Sequence, residues 1–118
     1  ALEIHFDSYG DYGIGSGLIP AVTSRLNTVD ESLARAFGRY PIFFRGGLGA
    51  PRRGIRILEL GKLEGTLERD LRDSRTRPKA VTSLAMKVVR ALQLGIGDDE
   101  MLNQRHHGEY TSQQVSHR

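Results

Sequence analysis

A chain of 118 residues suffices for one domain with its own core and is too short for two of ordinary size. The absence of cysteine excludes a disulfide framework, a thiolate metal site and a cysteine nucleophile together. The net charge of +3 conceals a separation, because residues 1–37 sum to −3, residues 38–90 carry thirteen basic against five acidic side chains, and residues 91–118 sum to −2.

Leu2, Ile4 and Phe6 alternate with Glu3, His5 and Asp7, the period of a half-buried strand over 2–7. Gly10, Gly13, Gly15 and Gly17 then interrupt Ser8 to Gly17 and predict a loop. Leu18, Val22, Leu26, Val29, Leu33 and Phe37 recur at steps of four and three, which predicts one helix from Leu18 to Phe37, capped at Ser16 and closed by Gly38.

Tyr40 with Ile42, Phe43 and Phe44 reads as a buried second strand, and a glycine-rich loop around Arg52 and Arg53 leads to a third at Ile55–Leu60. Over 61–73 the local rules conflict. Leu60, Leu63, Leu67 and Leu71 fit a helical stripe, whereas Gly61-Lys62 fits a hairpin turn into a further strand, and the need of a small sheet for another strand favours the hairpin slightly. Pro78 opens a second helix with Val81, Leu84, Ala85, Val88 and Leu92 on one face and Gly95 at its end. Residues 103–118 lack an apolar pattern and predict a flexible tail, or an arm ordered by a partner.

These elements predict an α+β domain over 1–102, in the order β-α-β-β-(β)-α, with an antiparallel sheet and two helices on one face. The other sheet face is expected to be polar, with Arg56, Glu59 and Arg45 on it. No apolar run approaches the roughly 20 residues that span a bilayer, and the N-terminus has no signal-peptide pattern; a cytoplasmic or other intracellular protein is expected. With 38% hydrophobic residues and no tryptophan, the core is small enough to be completed by a partner.

No catalytic signature is present. Ser16 and Ser83 have no patterned base, His5, His106, His107 and His117 have no metal-site spacing, and no cofactor is implied. The loop Gly13-Ile14-Gly15-Ser16-Gly17 between strand and helix has the layout that cradles phosphate, so Gly13, Gly15, Ser16 and Gly17 form a weak candidate for a phosphate or nucleotide; Leu18 stands where the dinucleotide fingerprint wants glycine. Gly46-Gly47-Leu48-Gly49 matches the backbone-clamping GxxG of nucleic-acid modules, but between strands rather than helices.

Ten of the thirteen central cations are arginine, the cation favoured at interfaces and in forked contacts with carboxylate or phosphate. Arg45, Arg52, Arg53, Arg56, Arg75 and Arg77 are therefore the candidate interaction residues. The leading expectation is a non-enzymatic interaction or assembly module whose Arg-rich surface meets an acidic surface of another copy or another protein. The alternative is a nucleic-acid-binding domain holding phosphates through the same arginines.

Overall fold

A computed structural model describes residues 1–7, 15–22, 25–40 and 49–116, with side chains described as far as Gln104. Three strands, β1 (Leu2–Asp7), β2 (Gly17–Ile19) and β3 (Arg56–Lys62), combine with helices α1 (Thr28–Phe37), α2 (Gly49–Arg52), α3 (Gly65–Arg72) and α4 (Arg77–Ser116) in a small α+β fold. The sheet order is β1-β3-β2. It is mixed rather than antiparallel: β1 runs parallel to β3, with Ile4 beside Leu58 and His5 beside Glu59, and β2 runs antiparallel to β3, with Leu18 beside Leu58. A parallel pair needs a long crossover, which β2, α1 and α2 supply between β1 and β3.

The long helix expected from Leu18 is split. Leu18 belongs to β2, where its N–H donates to Gly38 O at 2.9 Å and its carbonyl accepts from the Tyr40 N–H at 3.1 Å. Helix α1 starts at Thr28 because Asn27 and Asp30 form a reciprocal capping box: the Asn27 Oδ1 accepts from the Asp30 N–H at 2.8 Å, and the Asp30 carboxylate accepts from the Asn27 N–H at 3.0 Å. Ser16 does not cap the start of this helix. Its hydroxyl donates to the Phe37 carbonyl at 2.8 Å, serving the end of the helix instead. Gly38 closes α1 as its sequence position implies, at φ 92°.

Residues 61–73 resolve as helix, not hairpin. Gly61 lies inside β3, where a side chain would collide with Leu67 (2.8 Å from an added Cβ to Leu67 Cδ2), so the Leu67 side chain of α3 folds down onto the bare strand. Arg72 and Glu68 pair along α3 at the i,i+4 spacing. The expected strand at Ile42–Phe44 lies outside the described residues. Arg39 makes a parallel bridge to Leu18, and part of the glycine-rich loop before β3 forms the short helix α2.

Leu18 and Leu58 of the sheet meet Leu33, Ala34 and Phe37 of α1 and Val88 and Ala91 of α4 in the main core. A smaller cluster of Ile19, Ala50 and Ile57 lies elsewhere, with Tyr40 and Ile55 against it. Gly95 does not end α4, whose backbone runs on to Ser116. It marks instead the place where α1 and α4 come closest: a Cβ there would lie 2.6 Å from Val29 Cα and 3.1 Å from Thr28 O. At the same crossing the Thr28 hydroxyl donates to Gly95 O at 2.7 Å and the Ser32 hydroxyl to Ala91 O at 2.6 Å. At its far end Lys87 sits over the Phe37 ring, 4.4 Å from the centroid.

Gly95→Ala forces backbone apart and is expected to cost about 1–3 kcal/mol in chemical denaturation. Gly97→Ala, two residues on, meets nothing within 4 Å and is expected to gain up to about 1 kcal/mol through helix propensity. Equal effects at the two positions would show that the close crossing is not what Gly95 provides.

Candidate functional site

The five candidate arginines among the described residues lie on separate elements. Arg56 is three residues from Glu59, an odd spacing that puts the two on opposite faces of β3. Its Nε donates to the buried Asp30 carboxylate at 2.5 Å, on the capping atom cluster of α1. Arg77 spans two carbonyls at the end of α3, Nε to Leu71 O at 2.6 Å and Nη2 to Arg72 O at 2.9 Å. Arg75 pairs with Asp73 at 3.2 Å in the turn between α3 and α4, and that guanidinium holds the Asp73 carboxyl below its ordinary range. Arg52 ends α2, Arg53 follows it, and both are exposed. Arg45 lies outside the described residues.

The glycine loop is committed to the chain's own groups. Gly13 lies outside the described residues, and the Gly15 N–H donates to the Asp7 carboxylate at 3.1 Å. Gly17 is buried in β2 beneath Tyr40, whose ring carbon and backbone N would stand 3.0 and 3.1 Å from an added Cβ. With the ring laid on that glycine, the Tyr40 hydroxyl reaches the same Asp7 carboxylate. A loop amide that could face a phosphate thus faces an internal carboxylate.

Glu59 lies beside His5 in the register of β3 on β1, and the Asp7 carboxylate is close enough to act on its charge. Its side chain is 13% exposed, and its Nδ1-bearing neighbour His5 stands 3.9 Å from Oε1. Glu59 Oε2 is buried without a hydrogen-bond partner among the described residues. Burial raises the Glu59 pKa above its ordinary 4.5; His5 opposes the rise and Asp7 adds to it. Sequence reading placed Glu59 on a polar face without registering this pairing, because the parallel register that sets His5 beside it is not local.

Among the described residues, most of the exposed large apolar side chains are on α4. Leu84, Val88, Ala91 and Gly95 turn inward or toward the core. Val81, Ala85, Val89, Leu92 and Ile96 follow one another at steps of four, four, three and four and form an adjacent apolar strip, of which Leu92 is partly buried and also packs against the main core. Val81 and Val89 are each 49% exposed and Ile96 is 52% exposed. An apolar groove of about 420 Å³ borders the strip, with Ile4 and Phe6 of the edge strand β1, Leu60 and Leu71 on its far wall. Next to the strip's other flank, a wider groove of about 920 Å³ between α4 and α1 carries Arg35, Lys79, Lys87 and Arg90.

The sequence reading merged the two faces of α4, taking Val81 and Ala85 as core partners of Leu84 and Val88. Val89 and Ile96 were the missed signal, since they extend the outer row at helical spacing. The expectation that no segment approaches a bilayer span also changes: within Arg77–Gln104 the helix is long and apolar enough to cross a membrane by length and composition, with 17% of that window buried. Core helices of soluble proteins pass the same test, so length and composition are all that this observation contains.

Comparison with protein-family models, curated proteins and solved structures gives no match for the chain.

The raised Glu59 value fixes the sign of a pH effect. The folded chain binds this proton more tightly than the unfolded chain, so the protonated carboxyl favours folding below about 4.5 and that advantage is lost as pH rises through the higher folded value. Glu59→Gln is therefore expected to melt above the wild type at neutral pH, with the gap closing as pH falls toward 4.5. A variant less stable than wild type at neutral pH would mean that the ionised carboxylate is held by favourable contacts.

Proposed function

We propose that the chain is a non-enzymatic assembly module that associates with a second copy of itself through the outer apolar strip of α4. The observation that carries this reading is the exposure of Val81, Val89 and Ile96, large apolar side chains at helical spacing on one face of α4. Scattered exposed apolar residues are ordinary on a monomer, whereas a continuous row beside an apolar groove marks a surface that another chain covers. The basic and acidic segments of the chain then act as complementary flanks that orient the contact, the burial of apolar surface supplying most of the affinity.

A second reading, nucleic-acid binding, draws on the groove between α1 and α4 and its four cations, Arg35, Lys79, Lys87 and Arg90. It ranks lower for two reasons. Arg35 already pairs with Asp98 at 3.3 Å and Lys87 lies over Phe37, and among the described residues no aromatic side chain is exposed to stack on a base.

Sedimentation of the full chain at micromolar concentration is expected to give an oligomer that persists as salt is raised. Val89→Asp is expected to shift it to monomer while the far-ultraviolet circular dichroism stays unchanged. A wild-type monomer that binds an oligonucleotide with steep salt dependence would overturn the assembly reading in favour of the second one.

A further inference from the structure

Resting on the self-association just proposed, we infer that two copies pair their α4 helices antiparallel, about a two-fold axis near Val89, with Lys79 of each copy beside Glu100 of the other.

The inference comes from how charge is laid out along the strip. Val81 lies eight residues before Val89 and Ile96 seven after it, so an antiparallel pair centred there sets Val81 of one copy against Ile96 of the other. Ala85 then falls beside Leu92, and both rows are apolar throughout. Lys79 lies ten residues before the centre and Glu100 eleven after. At 1.5 Å rise per residue the mismatch is about 1.5 Å, well within the reach of either side chain. The helical period puts both on the same flank of the strip, and antiparallel helices bring equivalent flanks together. Arg77 and Asp99, on the other side of the strip, are related in the same way by position, but the Arg77 guanidinium is held by the Leu71 and Arg72 carbonyls, so Lys79 and Glu100 carry the pairing.

Lys79 and Glu100 are exposed and have no ion-pair partner among the described residues. A parallel pair brings opposite flanks together and would set Lys79 of one copy near Arg77 of the other and Glu100 near Asp99, placing like charges at both ends of the contact. The apolar row permits either direction, and the charges select one. The contact is isologous, so it closes at two copies.

The chain has no cysteine, which makes engineered thiols unambiguous reporters. Under mild oxidation by diamide, Val89→Cys is expected to link to itself across the axis. Val81→Cys is expected to link poorly to itself but well to Ile96→Cys when the two variants are mixed. Lys79→Glu is expected to weaken the dimer about tenfold by sedimentation, and adding Glu100→Lys in the same chain to restore it, since each copy then presents the reversed pair.

Efficient self-linking of Val81→Cys would establish parallel pairing and overturn the inference while leaving self-association intact. An oligomer in which none of these thiols link would overturn it in the same way. A monomer that links nowhere would remove both the inference and the proposal on which it rests. Binding of the monomer to phospholipid vesicles, blocked by Val89→Asp, would assign the strip to a membrane surface and overturn the pairing as well.

Discussion

The close crossing of α1 and α4 is the constraint on which the rest of the molecule turns. Gly95 leaves no Cβ between the two backbones, and the Thr28 and Ser32 hydroxyls are satisfied at the contact by donating to the Gly95 and Ala91 carbonyls. Fixing the helices this tightly also fixes the rotation of α4. Leu84, Val88 and Ala91 must face inward, and Val81, Val89 and Ile96 of the neighbouring row must then remain outside. The exposed strip is therefore a consequence of the packing, because a helix with apolar residues over more than one face can bury only the face its closest neighbour selects.

A second fixed point holds α1 to the sheet. The Asp30 carboxylate accepts from the Asn27 N–H and from Arg56 Nε at once, so the same buried group starts the helix and ties it to β3. Such a pair contributes little net stability against an apolar alternative but costs much if one partner is removed. This changes the meaning of the basic central segment. Its excess of charge is real, yet Arg56 and Arg77 are used within the fold, one on a carboxylate and the other on helix-end carbonyls. What remains for a partner is spread over separate elements rather than gathered in a patch.

The parts of this fold that were legible in the sequence are those with local causes. Strand β1 follows from simple alternation, Gly38 ends α1 in the left-handed region, and the α4 region from Pro78 onward carries its own periodicity. The errors have equally specific origins. Leu18, Val22 and Leu26 share the spacing of α1 but Leu18 is claimed by backbone bonds to the segment at Gly38 and Tyr40, contacts twenty residues away that no local pattern announces. At Gly61 the turn signal was genuine as chemistry but the glycine serves a different purpose, leaving room for Leu67. Gly95 was read as a stop signal when its cause is a neighbouring helix. Of the candidate site, the charge separation was visible, whereas the division of α4 into an inner and an outer face was not, since it depends on where α1 lies.

The charges on α4 give the last step. A helix favours acidic side chains in its first turn and basic ones in its last. Here the first turn has no acidic residue and begins with Arg77 and Lys79, while Asp98, Asp99 and Glu100 sit well inside the helix. The first-turn cations work against the helix taken alone, and only Asp98 among the three acids has an ion-pair partner among the described residues, Arg35. A second helix laid antiparallel reverses the account: Lys79 of each copy meets an acid, and the opposed dipoles attract instead of adding. The same sequence that is mildly frustrated as an isolated helix becomes locally consistent in a pair, and consistency between local and global preference is what a specified structure is expected to show. The charge separation of the chain thus reads most directly along α4 itself, at the scale of a helix, rather than between the domain's central and flanking segments.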